Sequence, residues 1–202
     1  MSSITKNIIA RIITNQRGWV FSPKNFLDIG TRDSVDQVMS RLTKTGFIRK
    51  IARGIYDYPR THPAIGIISP NIDDLARIVA SKTGDRIFHS GAMATNLLGL
   101  STQVPAKVVY ATTGKSCIKK IGNCSIIFKH TRIPILDDLS LPCNLALQSM
   151  AYIGKNYLDS DMIRQYSQKL SNDDKISISK ATPYIPAWMS DAIHKIQDAA
   201  HG

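Results

Sequence analysis

Four side chains within a dozen residues carry the hydrogen-bonding groups that read base edges: Arg32, Ser34, Gln37 and Arg41. Arginine can donate two bonds to guanine, and glutamine can pair with adenine through one donor and one acceptor. Three further cations follow, Arg49, Lys50 and Arg53, around the tight turn Ala52-Arg53-Gly54. Cations at such a tip lie against phosphates or enter a minor groove. Upstream, Ser22 and Lys24 open a short segment at Ser22-Pro23. Unpaired backbone N–H groups at a helix start favour a phosphate there. A solvated helix face would carry the same residue types. The turn Asp28-Ile29-Gly30, the capped short helix and the basic hairpin weigh against that alternative.

These side chains need elements to aim them. The first helix is expected over about Ser3 to Asn15, with Ile8, Ile9, Ile12 and Ile13 as its apolar stripe. Gly18 stops it, and Trp19-Val20-Phe21 reads as a short extended run. Ser22-Pro23 starts a second, short helix that ends near Leu27. Thr31 caps a third, in which Val35, Val38, Met39 and Leu42 form one buried face and Gly46 ends the helix. Residues Phe47–Ile51 and Gly54–Tyr58 read as two strands. Helix, strand, helix, helix and hairpin in this order make a winged helix-turn-helix. Its last helix is thereby offered to a major groove.

The charge supports that reading. The chain has 202 residues and a formal net charge of +11, and such a protein needs an anionic partner or tolerates self-repulsion. Residues 1–60 hold +7 of the excess and residues 61–202 hold +4. All fifteen acids are aspartate, a bias without a functional explanation. No apolar run is long enough to span a membrane, and Met1 to Arg11 lacks the order of a signal peptide, so the cytoplasm is the expected compartment.

Tyr58-Pro59-Arg60-Thr61-His62-Pro63 reads as a boundary, which gives a DNA-binding domain over 1–60, a linker over 61–70 and a second domain over 71–202. In the second domain, helices are expected over Ile72–Lys82, Ala92–Leu98, Asp138–Ile153 and Asp161–Leu170, with a last one from Pro186. Strands are expected over Arg86–Ser90, Lys107–Thr112, Cys117–Ile121 and Cys124–Lys129, with Gly122-Asn123 as a hairpin turn. The fold class is therefore α+β: a winged helix-turn-helix followed by a small antiparallel sheet with several helices.

Other chemistry finds less support. Cys117, Cys124 and Cys143 are an odd number without close pairs, so neither a disulfide framework nor a metal site is expected. His89-Ser90-Gly91 lacks a nucleophile elbow and an orienting acid. Thr113-Gly114-Lys115-Ser116 has Val109 where a phosphate-binding loop needs glycine, and a hairpin turn is the simpler reading. Asp137-Asp138 and Asp173-Asp174 suit helix starts or turns. No enzyme activity and no cofactor is expected. Lys115, Lys119 and Lys120 form a second basic cluster, for which a solvated hairpin is the default reading and an extended DNA footprint or an acidic or RNA partner the alternatives.

With these residues in hand, the chain resembles the AbiEi-family antitoxins of type IV toxin–antitoxin systems. The similar stretches are Arg17–Phe26, Ser40–Pro59, Gly91–Tyr110 and Tyr184–Met189, of which Gly91–Tyr110 is the more specific. One departure is His89-Ser90 before Gly91. The resemblance implies a winged-helix domain that represses its own operon on double-stranded DNA. It also implies a second domain that antagonises a nucleotidyltransferase-like toxin. It carries the DNA-binding role onto the third-helix and wing positions Thr31, Arg32, Ser34, Gln37, Arg41, Arg49, Lys50 and Arg53, with Ser22 and Lys24 added from the residue reading above and a dimer on DNA as one expected arrangement. Two other readings stay open: a ligand-responsive winged-helix regulator, and an antitoxin acting mainly by direct protein contact.

Overall fold

A computed structural model describes residues 3–105, 107–122 and 124–199. The chain divides into two compact units, residues 1–84 with 120–125 and residues 85–119 with 126–202.

In the first unit, α1 (Ser3–Thr14) buries Ile8 and Ile12 completely. Ile9 is half-buried and Ile13 is exposed, so the expected stripe of four is narrower. β1 (Val20–Phe21) follows, then a 3-10 turn over Pro23–Phe26 where an α-helix was expected. Asn25 makes it tight: its Oδ1 accepts from the Ser22 backbone N at 2.8 Å and from the Ser22 hydroxyl at 3.2 Å. α2 (Arg32–Lys44) begins at Thr31, whose hydroxyl oxygen accepts from the Ser34 backbone N. Val35, Val38, Met39 and Leu42 are all buried, as helical spacing requires. Past the end of α2, Gly46 takes the left-handed backbone (φ 72°) that glycine adopts at little cost.

β2 (Arg49–Ala52) and β3 (Ile55–Asp57) form the hairpin, and β1 joins it to give a three-stranded antiparallel sheet in the order β1-β3-β2. The pairing slips between Lys50 and Ala52, an irregularity that bends a hairpin. Phe21, Phe26, Val35, Met39 and Ile48 close the core between the sheet and the helices. Phe21 and Phe26 meet edge to face at 5.5 Å.

The expected linker is structured. β4 (Thr61–His62) and β5 (Gly66–Ile67) make a small antiparallel hairpin that is exposed throughout. α3 (Ile72–Thr83) follows, capped by Asn71 and ended by Gly84 in the left-handed region. It buries Leu75, Ala76 and Ala80 and packs against β1. The first unit therefore runs to Gly84, beyond the boundary expected near residue 60, because α3 still contributes apolar surface there.

After Gly84, β6 (Ile87–His89), α4 (Ala92–Leu97), β7 (Val109–Thr112), β8 (Cys117–Ile121) and β9 (Cys124–His130) follow in sequence, all in the second unit but for residues 120–125 at the end of β8 and the start of β9. The four strands lie in the order β6-β7-β9-β8. β6 pairs antiparallel with β7, whereas β7 pairs parallel with β9, because β8 takes the edge and β9 returns between them. Asn123, half of the expected hairpin turn, lies outside the described residues.

α5 (Leu141–Ile153) is the central helix, buried at every position from Cys143 to Met150. It starts at Leu141 rather than at Asp138, because Ser140 caps it and Pro142 fits only its first turn. α6 (Ser160–Lys169), α7 (Asn172–Ser177) and α8 (Ala187–Asp198) pack around it. The α7 helix was not expected. Its signal is Ser171-x-x-Asp174, a capping box with aspartate in the place of glutamate. The buried Ser149 on α5 is matched: its hydroxyl lies 2.7 Å from the Tyr166 hydroxyl and 3.0 Å from that of Thr95. The architecture is α+β, and no helix among the described residues is long and apolar enough to cross a membrane.

Candidate nucleic-acid interface

The outward face of α2 is set by the four apolar residues that turn inward. With 3.6 residues per turn, the side opposite them carries Asp33, Gln37, Ser40 and Lys44, flanked by Asp36 and Arg41. All six are exposed. Gln37 is exposed and has no hydrogen-bond partner among the described residues. Arg32 is exposed and donates to the Asp36 carboxylate at 2.8 Å, an i,i+4 pair. Arg41 is exposed and donates to the Thr5 hydroxyl at 3.3 Å, which links α2 to α1. Ser40 and Lys44 were missed by the sequence reading, although the helical spacing that places Gln37 places them too.

Two residues expected at the start of α2 have local duties. Thr31 caps the helix, and its hydroxyl also donates to the Ser34 hydroxyl at 3.0 Å. Ser34 is half-buried as a result. The turn before them is held from α1. Arg11 grips Asp28 through two nitrogens at 2.8 and 2.6 Å and donates to the Asn25 carbonyl at 2.6 Å. Its guanidinium holds the Asp28 carboxyl below its ordinary pKa.

Lys50 and Arg53 are exposed on the wing, and Lys24 is exposed on the 3-10 turn. Two expected contacts do not hold. Ser22 is only 6% exposed, with its polar groups turned to Asn25, so it has no path to a phosphate. Arg49 is half-buried and bonded to Asp57 at 3.0 and 2.5 Å and to the Ile68 carbonyl at 3.2 Å. Sequence spacing cannot separate this structural arginine from its neighbour Lys50. What separates them is register: Arg49 sits directly opposite Asp57, and Lys50 opposite Tyr56. Tyr56 is half-buried and stacked on Phe21, a core role with one edge near the Asp36 and Arg32 charges.

Lys115 lies in the turn between β7 and β8, and Lys119 and Lys120 are adjacent on β8, Lys120 being counted with the first unit. All three are exposed, but neighbours on a strand point to opposite faces, so they do not make one patch. The Ser90 hydroxyl donates to the Val109 carbonyl at 3.3 Å, and His130 Nδ1 lies 2.9 Å from the Gly114 carbonyl. Gly91 has φ 62°, and a Cβ there would sit 3.2 Å from the Tyr152 ring, a close approach that a side chain would disturb. The three cysteines are free, and no group of metal-ligating side chains occurs among the described residues.

No curated protein matches the chain. Among solved structures, a similar one is the RV2827C protein from Mycobacterium tuberculosis, with 10% identity and a TM-score of 0.42. The alignment covers 99% of this chain and 78% of that one. Residues 7–178 match the family described as DUF6088, a family of unknown function, and the chain belongs to that family.

Proposed function

We propose that the chain is a non-catalytic, cytoplasmic DNA-binding regulator whose α2 enters the major groove while the β2–β3 hairpin tracks the backbone. The observation that carries this reading is the outward face of α2: Gln37 and Arg41 are exposed there, opposite the buried side, and Arg32 is exposed at the flank of the first turn. The net charge of +11 and the exposed Lys50 and Arg53 supply the phosphate attraction that such docking needs. The resemblance to AbiEi-family antitoxins extends the reading to autorepression and to antagonism of a nucleotidyltransferase-like toxin, with the second unit as the antitoxin part.

A gel shift on the DNA upstream of its own gene tests the binding. Wild type is expected to bind that duplex more tightly than a scrambled one, and the Arg32→Ala/Gln37→Ala double variant is expected to lose the preference. Equal shifts by wild type and double variant overturn the α2 assignment. A neighbouring nucleotidyltransferase-like gene, and rescue of cells from its product, test the antitoxin part.

One observation favours ligand response as a second reading. A cleft of about 370 Å³ in the second unit is lined by Gly91, Met93, Lys129, Gln148 and Tyr152 among others. The Gln148 amide nitrogen, buried beside it, has no hydrogen-bond partner among the described residues.

A further inference from the structure

α3 lies outside the winged-helix elements, yet one of its side chains reaches the wing. The Lys82 ammonium donates to the Arg53 carbonyl at 2.9 Å. It also lies 3.8 Å from the point where a side chain on Gly54 would begin. Arg53-Gly54 is the turn that joins β2 to β3. Burial, and after it the charge of Lys24, hold the Lys82 ammonium below the ordinary lysine range. Lys82 of α3 thus meets the backbone of the wing turn that carries the exposed Arg53, and Lys24, on the 3-10 turn, is the cation whose charge acts on it.

Among the described residues none of the three is paired with a carboxylate. Like charges gathered without a counter-ion disfavour the fold until an anion is supplied. One Lys82 proton is committed to Arg53, and an ammonium has three. The other two suit a strong oxygen acceptor, and the acceptor that a duplex presents beside a wing is its phosphate.

We propose that Lys24, Arg53 and Lys82 form a phosphate clamp at the wing, so that the DNA-binding surface continues into α3. The proposal rests on the DNA-binding reading and adds to it a residue beyond the winged helix. Lys82 then has two roles: it props the turn through the Arg53 carbonyl, and it neutralises a backbone phosphate together with Lys24.

The test uses the full chain, the upstream duplex and a scrambled duplex of equal length, with binding followed by fluorescence anisotropy across a salt series. Lys82→Gln keeps a donor for the Arg53 carbonyl but removes the charge. It should weaken both duplexes by the same factor and reduce the slope of log K against log salt by about 0.9. Lys24→Ala, at an exposed site, should reduce the slope by a similar amount, and Lys82→Arg should restore most of the affinity. If both charge-removing variants keep the wild-type slope, the clamp is wrong, and Lys82 is a prop alone. If wild type binds neither duplex, the DNA-binding reading falls and the clamp falls with it.

Discussion

Arg49 closes on Asp57 directly across the wing: two guanidinium nitrogens reach the carboxylate at 3.0 and 2.5 Å, and the Asp57 side chain is only 2% exposed. The pair raises the Arg49 pKa through its hydrogen bonds, so the cation is committed to the fold. Arg49→Met should strand a buried carboxylate and lower stability by about 2–3 kcal/mol, less than for a fully buried pair because Arg49 is partly solvated. In a properly folded sample it should leave the salt dependence of DNA binding unchanged. Denaturant melts read the first effect and anisotropy reads the second.

On α2, Gln37→Ala should cost about 1–3 kcal/mol on the cognate duplex, with little change on scrambled DNA. Lys50→Ala and Arg53→Ala should weaken both duplexes alike. Competition titrations distinguish the two patterns. If Lys50→Ala impairs the cognate site alone, the wing reads sequence.

Thr31 offers a stability test free of DNA. Thr31→Ala removes the α2 cap and should destabilise by about 1 kcal/mol, while Thr31→Ser should behave as wild type in urea melts.

Asp28 should make the first unit acid-sensitive. Its carboxyl titrates below the ordinary range because Arg11 bonds the ionised form. A group with a lowered folded pKa contributes stability above its unfolded pKa and loses it as pH falls through the folded value. The stability gap between wild type and Asp28→Asn should therefore be open at neutral pH. It should close as pH falls through and below the usual carboxylate range, as urea midpoints measured along a pH series would report.

In the second unit, Tyr166→Phe should cost about 1 kcal/mol, since the buried Ser149 hydroxyl would retain only Thr95. A thermal melt checks this. A silent substitution would mean that the hydroxyl chain is dispensable for packing.

Helices with a clean apolar period were legible from sequence. Val35, Val38, Met39 and Leu42 on α2, and Met189, Ala192, Ile193 and Ile196 on α8, are buried as spacing implies. The Thr31 cap of α2, next to Gly30, was legible, whereas the Asn71 cap of α3, next to Pro70, was not read. The extent of the first unit was not, because Pro59 and Pro63 look like a linker whether or not a helix beyond them returns to the sheet. The parallel pairing of β7 with β9 was hidden too, since strand order depends on contacts far apart in sequence. At the candidate interface, residue type identified the cations but not their partners. Arg49 and Arg53 look alike in sequence, and only the register opposite Asp57 makes one of them structural.

The small β4–β5 hairpin has a practical side. Every residue from 61 to 67 is open to solvent, and Arg60 just before it is open as well. Trypsin cutting after Arg60 would leave the wing and α3 on different polypeptides. They would still be joined by the α3 contact with β1 and by the bond from Lys82 to Arg53. The nicked protein should therefore elute as one species from a sizing column in plain buffer and separate into two pieces once urea is added.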